Sequence, residues 1–244
     1  MKYEFTKNTQ VVNGETLTQI RALRDIGDRV KAGDLGGWVE NPRTLSQEGN
    51  CWIDTGVKLG SCAHIRVDAY ITGDLSLLGF AHIGDNAYID ADGVTDSDIL
   101  ISDNVRIASD NPNERVQLGS MFINARNNAT IKHTINFEGW LSIFGNVIID
   151  CPLVFNDHTD LSLAGDETIL IPPTVFKEFW PITITPKYIT IGCQHHTPEE
   201  WWAFDDTTIY KMNRIQALEW WKAKKEDLRK KYDDYILSLE SNSN

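Results

Sequence analysis

The chain has 244 residues, of which 41% are hydrophobic and 24% are charged, so it is long enough to bury a substantial core. Its 35 acidic and 23 basic residues give a net charge of -12, which disfavours non-specific binding to nucleic acid or to an anionic membrane. Its polar first residues and the lack of an apolar run of about 18 residues give no support to a signal peptide or a membrane span, and its cysteines are dispersed without a CxxC pair. These features predict a cytoplasmic protein without a disulfide framework.

Residues 1–52 contain no regular repeat, and we interpret them as an N-terminal cap. Apolar residues occur at mixed spacings between positions 16 and 30, and this stretch is compatible with either a helix or a strand. The pair Gly36 and Gly37 permits a tight turn. Trp38 and Trp52 are large enough to close the open end of the domain that follows.

Residues 53–161 carry an apolar residue at nearly every sixth position, a ladder that determines the fold. It begins with Ile53, Leu59, Ile65, Ile71, Leu77 and Ile83. A second residue, often a small one such as Ala63 or Ala69, lies two positions before most ladder residues. Large inward residues alternating with small corner residues predict a triangular coil of three short parallel strands, and this stretch is long enough for about six coils.

The segments 67–71 (VDAYI) and 85–89 (DNAYI) resemble the hexapeptide repeat of left-handed β-helix proteins. The resemblance covers roughly half of the chain and implies a left-handed parallel β-helix over 53–161. With the cap before it and a C-terminal region of short strands plus an α-helical extension over 162–244, we expect a mainly β protein. Many members of this family are trimers with their prisms side by side, and many are acyltransferases. The segment 32–38 (AGDLGGW) is similar to the start of β-helical proteins from phages and prophages.

Two polar columns emerge when residues 18 positions apart are compared. The first lies just before the small corner residue and consists of Asn50, Asp68, Asn86 and Asn104. Asn and Asp tolerate a left-handed backbone and bond neighbouring amides, so this column predicts a turn ladder, and its neutral amides argue against a metal site. The second column, His64 and His82, is expected on an outward edge, as solvated or packing residues or as a site between protomers.

The ladder fails at Asn113, Gly119 and Ala125, beginning in the turn-forming stretch 109–115, which predicts a loop that leaves the coil. Basic residues are rare in the repeat region, but four lie in or beside this interruption, namely Arg106, Arg115, Arg126 and Lys132. Together they predict a cationic patch for a phosphate-bearing ligand such as a nucleotide or coenzyme A, with scattered compensating charge as the alternative.

The C-terminal region changes pattern again. Isoleucines at 182, 184, 189 and 191 predict short strands, and the segment 197–200 (TPEE) predicts a helix that begins with a capping box. A further helix is expected from near Asp206. The tryptophans of this region suggest packing onto the β-helix or a neighbouring chain, with an aromatic ligand pocket as the alternative. The mixed charges of 222–231 predict a solvated helix face.

Three functions are compatible with these patterns. The sequence favours a non-catalytic, homotrimeric phage or prophage anti-defence protein in the bacterial host cytoplasm, which sequesters a small anionic ligand or blocks a host protein without a metal or cofactor. Its predicted ligand-binding residues are Arg106, Arg115, Arg126, Lys132, His64 and His82. The other two possibilities are a structural assembly protein and an enzyme.

The alternative is a hexapeptide-repeat acyltransferase that uses an acyl-CoA donor. In such an enzyme a histidine acts as the general base on the acceptor, and His82 or His64 is the first choice here. His133 and His158 are further candidates. No motif in the chain is specific enough to select one of them.

Overall fold

The computed structural model describes residues 1–111, 113–118, 122–137, 140–155 and 160–242. The chain begins with a hairpin of β1 (Tyr3–Val12) and β2 (Glu15–Ala22), and β2 also pairs antiparallel with β3 (Leu35–Val39). Asn13 and Gly14 connect the hairpin with positive φ angles of 48° and 82°, as expected for a tight two-residue turn. The stretch from 16 to 30 is therefore a strand followed by an irregular connection.

The hairpin is anchored to the start of the solenoid by buried polar contacts. The Tyr3 hydroxyl donates to the Leu45 carbonyl at 2.7 Å. The Lys2 ammonium is buried and donates to the Cys51 carbonyl at 2.7 Å and to the Cys51 Sγ at 3.0 Å. Burial of this ammonium lowers the pKa of Lys2 from its usual value of 10.5. The N-terminal segment is thus packed against the first coil as a cap.

A left-handed parallel β-helix of about six turns follows, which confirms the predicted fold. Its strands are β4 (Trp52–Ile53), β5 (Lys58–Leu59), β6 (Ala63–Ile65), β7 (Tyr70–Thr72), β8 (Leu75–Leu77), β9 (Ala81–Ile83), β10 (Tyr88–Thr95), β11 (Ile99–Ile101), β12 (Arg106–Ile107), β13 (Val116–Leu118), β14 (Phe122–Ala125), β15 (Thr130–Ile131), β16 (Ile135–Phe137), β17 (Trp140–Ile149), β18 (Leu153–Phe155) and β19 (Leu161–Ile169).

The strands stack into three faces. The first face contains β4, β7, β12 and β15, the second contains β5, β8, β13 and β16, and the third contains β6, β9, β11 and β14. The longer strands β10, β17 and β19 bend from one face to the next. Because β3 already pairs in parallel with β5, the regular stacking starts before residue 53, where the hexad ladder begins.

The ladder residues point inward and form the core. Ile53, Leu59, Ile65 and Ile71 are each at most 1% exposed, and the small corner residues such as Ala69 are equally buried. Packing these side chains in stacked layers stabilises the coil, because a fully buried Ile or Leu contributes about 1.5–3 kcal/mol. The predicted alternation of large and small inward residues is therefore what fills the triangular core.

The interruption of the ladder is smaller than the sequence suggests. The chain leaves the coil after β12 and returns at β13, so the expected loop is present. Ala125, however, is fully buried and pairs in register with Ile101, so the ladder does not fail there. The loop lengthens one coil, since Asn104 contacts a residue 24 positions on whereas Asn86 contacts one 18 positions on. The lengthened coil therefore has six additional residues, which equals the period of the hexad ladder. For this reason the apolar ladder residues after the loop stay in the same phase as those before it.

The asparagine column forms a continuous hydrogen-bonded ladder. The side-chain amides are joined by contacts of 2.7–3.0 Å, in the order Asn86, Asn104, Asn128 and Asn146. The left-handed residues lie one position earlier than expected, at Gly49, Val67, Asp85, Asp103, Asn127 and Gly145. The backbone therefore turns the corner at the residue before each member of the asparagine column, not at the column residue itself. No set of three His, Cys, Asp or Glu side chains within the described ranges is arranged to hold a metal ion.

A separate C-terminal module closes the other end. Its antiparallel strands are β20 (Thr174–Lys177), β21 (Pro181–Ile184), β22 (Ile189–Ile191) and β23 (Gln194–His196), followed by α1 (Pro198–Ala203) and α2 (Asp206–Asn242). Thr197 and Glu200 form the predicted capping box at the start of α1. No helix within the described residues is both long and apolar enough to cross a bilayer.

The C-terminal helices pack onto the sheet of their own chain. Trp201 and Trp221 are 2% and 4% exposed, and both belong to a core shared with the isoleucines of β21 and β22. The Trp201 Nε1 donates to the Ile189 carbonyl at 2.8 Å. Farther along α2, the Tyr235 hydroxyl reaches the Ile171 carbonyl just after the last coil. This module is thus a second hydrophobic core attached to the end of the solenoid.

Candidate functional site

His64 and His82 lie directly above one another on the third face. They occupy the middle positions of β6 and β9, which pair in register, and their ring centroids are 6.3 Å apart. Strand alternation places Ala63 and Ile65 in the core and turns the histidine between them outward. The structure therefore brings together the two histidines that the sequence placed in one column.

The two rings have different surroundings. Burial, the nearby Arg66 and His64 together lower the pKa of His82 from its usual 6.5, so its ring is neutral at pH 7. The Phe80 ring lies 6.4 Å from it. The Nδ1 of His64 lies 3.4 Å from the Arg43 carbonyl, a contact that holds its ring when Nδ1 carries the proton. A neutral imidazole beside a positioned one is suited to accept a proton.

A groove of about 730 Å³ runs beside His64. The residues that line it include Arg43, Arg66, Gln47 and Glu48. Neither Arg43 nor Arg66 forms an ion pair with any residue in the described ranges, whereas Lys58, Arg115 and Lys132 of the solenoid do. In a chain of net charge -12, these two arginines are therefore the candidate residues of the groove for binding an anion such as a phosphate.

Sequence reasoning missed both arginines. Arg66 lies two positions after His64, and strand alternation places both side chains on the same outward face, so this spacing could have indicated Arg66 from the sequence. Arg43 belongs to the segment interpreted as a cap, and no repeat connects it to His64. It reaches the groove because Leu45 forms a parallel bridge with Ile65, which brings the cap segment beside β6.

The four predicted cationic residues do not share one set of contacts. Lys132 forms ion pairs with Asp110 at 2.9 Å and Asp150 at 3.1 Å, and these contacts raise its pKa. Arg115 lies 3.4 Å from both Asp90 and Asp92. The positive charge of both residues is therefore balanced within the fold. Their role as ligand-binding residues stays a prediction.

The other two predicted cationic residues, Arg106 and Arg126, make non-covalent contacts with neighbouring side chains. The Arg106 guanidinium lies 4.8 Å from the centre of the Tyr88 ring, in a cation–π contact on the first face. The Arg126 Nε donates to the Asn124 Oδ1 at 3.3 Å. Tyr88 in turn stacks on Tyr70, so Arg106 extends an aromatic column. These contacts explain how arginines are accommodated on the coil surface.

Of the further histidine candidates, only His133 lies within the described residues, and His158 lies outside them. The Nε2 of His133 contacts the Asp150 Oδ1 at 3.0 Å. The same carboxylate binds Lys132, and the two partners lower the pKa of Asp150. His133 is therefore held by an ion-paired carboxylate on another part of the solenoid, away from the column of His64 and His82.

No family model matches this sequence. A search of curated proteins finds a local similarity to YdcK of Escherichia coli (strain K12), which is named as an uncharacterized acetyltransferase. The two sequences are 41% identical over 76 residues, which cover 30% of this chain and 23% of YdcK. The similarity thus spans less than a quarter of the relative's own length.

This similarity corrects our sequence-based interpretation of function. A non-catalytic anti-defence protein was favoured because the segment 32–38 resembles the start of phage and prophage β-helical proteins, while the hexad repeat defines architecture without defining chemistry. The relative is named as an acetyltransferase, and this name favours the acyltransferase alternative with an acyl-CoA donor over the non-catalytic role. The resemblance of segment 32–38 to phage and prophage proteins and the homotrimer stay predictions.

Proposed function

We propose that the protein is an acyltransferase that moves an acyl group from an acyl-CoA thioester to a hydroxyl or amine acceptor. The observation that carries this proposal is the neutral His82 above His64, beside a groove whose two arginines have no carboxylate partner in the part of the chain that the structure describes. The similarity to a protein named as an acetyltransferase supports the same reaction.

In the proposed reaction His82 removes the proton from the acceptor O–H or N–H as that atom attacks the thioester carbonyl. A bond forms between the acceptor and the acyl carbon, and the carbon–sulfur bond then breaks. The leaving thiolate takes the proton from the His82 imidazolium, which restores the neutral base. No proton or electron is gained or lost overall.

The groove residues bind the donor in this proposal. Arg43 and Arg66 contact its phosphates, because guanidinium groups bind phosphate oxygens through paired hydrogen bonds. Glu48 also lines the groove, and its carboxylate keeps phosphates toward the arginine side. His64, next to both arginines, positions the His82 ring.

The experiment measures thiol release from acetyl-CoA with a panel of amine and hydroxyl acceptors, comparing His82→Gln with the control His133→Gln. We expect His82→Gln to lower kcat by about 100-fold or more, while His133→Gln changes it less than about twofold. The kcat/KM of the wild-type protein should fall at acidic pH, with an apparent pKa below 6.5. Equal losses in both variants, or no turnover with any acceptor, would contradict the proposal.

A further inference from the structure

The C-terminal module contains an aromatic cavity that the proposed acyl transfer does not use. The cavity, of about 280 Å³, lies between the antiparallel sheet and helix α2. Trp180, Trp201, Trp220 and Trp221 line it. The rings of Trp180 and Trp220 meet edge to face with centroids 5.6 Å apart, so the walls are held by aromatic packing.

A break in α2 gives this cavity its shape. Asn213 and Arg214 depart from helical geometry, and Arg214 has a left-handed φ of 55°. An arginine in this conformation costs about 1 kcal/mol or more, so the surrounding packing must hold it there. The break separates the turn that carries Met212 from the turn that carries Ala217, and both turns line the cavity.

The polarity of the walls defines the class of ligand. Among the described residues, the lining contains no Asp, Glu, Lys, Arg or His, so a charged ligand would be desolvated there without a partner. One buried donor is present, since the Trp220 Nε1 has no hydrogen-bond acceptor among the described residues. A buried N–H without an acceptor is costly, and a ligand that supplies an acceptor would satisfy it.

We propose that this cavity binds a neutral, flat aromatic heterocycle whose ring nitrogen or oxygen accepts a hydrogen bond from the Trp220 Nε1. The tryptophan rings contact the faces and edges of the ligand, and the indole N–H fixes its orientation. The volume is at the lower end for small-molecule sites, so the ligand is a one- or two-ring compound or the ring portion of a larger one.

Quinoline is a suitable probe, because it has two fused rings and a single acceptor, and naphthalene has the same shape without the acceptor. Calorimetry should show that quinoline binds the full chain, and that Trp220→Phe weakens this binding about three- to tenfold, as expected for one neutral hydrogen bond. Naphthalene should bind the wild type and Trp220→Phe with equal affinity. Trp140→Phe, which changes a tryptophan of the solenoid, is the control and should leave quinoline binding unchanged.

Two cysteines provide an independent measurement. Cys193 lines the cavity and is exposed, while the exposed Cys62 lies on the solenoid. Saturating quinoline should slow alkylation of Cys193 by iodoacetamide several-fold and leave Cys62 unaffected, as read by peptide mass spectrometry. Equal protection of both thiols, or of neither, would overturn the site.

A second variant keeps the test valid if Trp220→Phe folds poorly. Ala217→Leu fills the cavity from α2 with a side chain of high helix propensity, and it should abolish both quinoline binding and Cys193 protection. Unchanged quinoline binding in Ala217→Leu would overturn the proposed site. Equal quinoline affinity in a folded Trp220→Phe variant would overturn the role of the indole N–H.

Discussion

The Glu167 carboxylate accepts a 2.7 Å hydrogen bond from the Thr185 hydroxyl, and this contact joins the last coil to the C-terminal sheet. Glu167 pairs in register with Val147, whose side chain is fully buried in the coil below. A carboxylate therefore takes the place of an inward apolar residue at the end of the solenoid. Its other oxygen, Oε1, is buried without a hydrogen bond to any described residue.

The first prediction concerns the effect of pH on stability. Burial raises the pKa of Glu167 from 4.5 to about 7, although Thr185 and Lys187 oppose the shift. The folded state thus holds this proton more tightly than the unfolded state. The resulting stability is fully present below pH 4.5 and is lost as the pH rises through about 7. We expect the Tm to fall from about pH 5 to about pH 8, a range that starts near the unfolded pKa of Glu167 and extends past its folded pKa.

Glu167→Gln should remove this part of the pH dependence, because the amide stays neutral and still accepts from Thr185. At pH 8 the variant should be more stable than the wild type by about 1–3 kcal/mol, and at pH 5 the two should be nearly equal. Exposed Glu114→Gln is the control for removal of a negative charge. A Glu167→Gln variant with the wild-type pH profile in thermal unfolding would contradict the assignment.

The second prediction concerns Val67, a β-branched residue with a left-handed φ of 62° at a corner of the coil. Such residues rarely adopt this conformation, whereas Asn does so readily, as Asn127 does at the equivalent corner. Val67 is 47% exposed, so little packing is lost on substitution. Val67→Asn should stabilise the protein by about 1 kcal/mol and raise the Tm by about 2–4 °C.

Val11→Asn is the matched control for this substitution, because Val11 is exposed in the extended strand β1. There Asn should be neutral or slightly destabilising, since β-branched residues favour strands. Calorimetry on the two variants distinguishes relief of backbone strain from a general effect of a polar surface residue. A lower Tm for Val67→Asn would show that this corner is not strained.

The sequence predicts the solenoid well because a single physical requirement repeats at every side of the coil. Ile65 and Ile83 must fill the same core, so one period reveals both the fold and the outward direction of His64 and His82. The capping box of Thr197 and Glu200 is equally local, and the structure confirms it. Patterns that depend on neighbouring residues can be read directly from the chain.

The candidate site is harder to predict because its parts come from regions without a common period. Arg43 reaches His64 only through the bridge between the cap segment and β6. Conversely, Arg115 and Lys132 are close in sequence to an interruption, yet aspartates from adjacent coils balance their charge. Charge counts along a sequence do not show which cations have partners in the fold.

The third prediction separates these two groups of cations. Arg43→Gln and Arg66→Gln should each weaken acetyl-CoA binding about tenfold, because each removes a charged hydrogen bond to a phosphate. Arg115→Gln should have little effect on binding, since Arg115 is paired with Asp90 and Asp92. Calorimetric titration at two salt concentrations gives a second readout. Wild-type affinity should fall with salt, and the Arg66→Gln variant should show a weaker dependence.

The opposite pattern, in which only Arg115→Gln weakens acetyl-CoA binding, would move the donor site to the loop before β13. Loss of binding in all three variants together with a lower Tm would instead indicate damage to the fold, and far-ultraviolet circular dichroism monitors this. His82→Gln should retain acetyl-CoA binding, because in the proposed reaction it acts on the acceptor proton. Binding and turnover are thus separable in this set of variants.

The fourth prediction concerns assembly, which the family resemblance implies. If three prisms pack side by side, native mass spectrometry should show a trimer, and the third face with its column of His64 and His82 is the face that we expect at the interface. Phe80 is 42% exposed next to His82, so Phe80→Glu should place a charge at such an interface and yield monomers. Trimer loss accompanied by loss of acetyl-CoA turnover would place the active site between protomers. A monomeric wild type with full turnover would show that one chain carries the complete site.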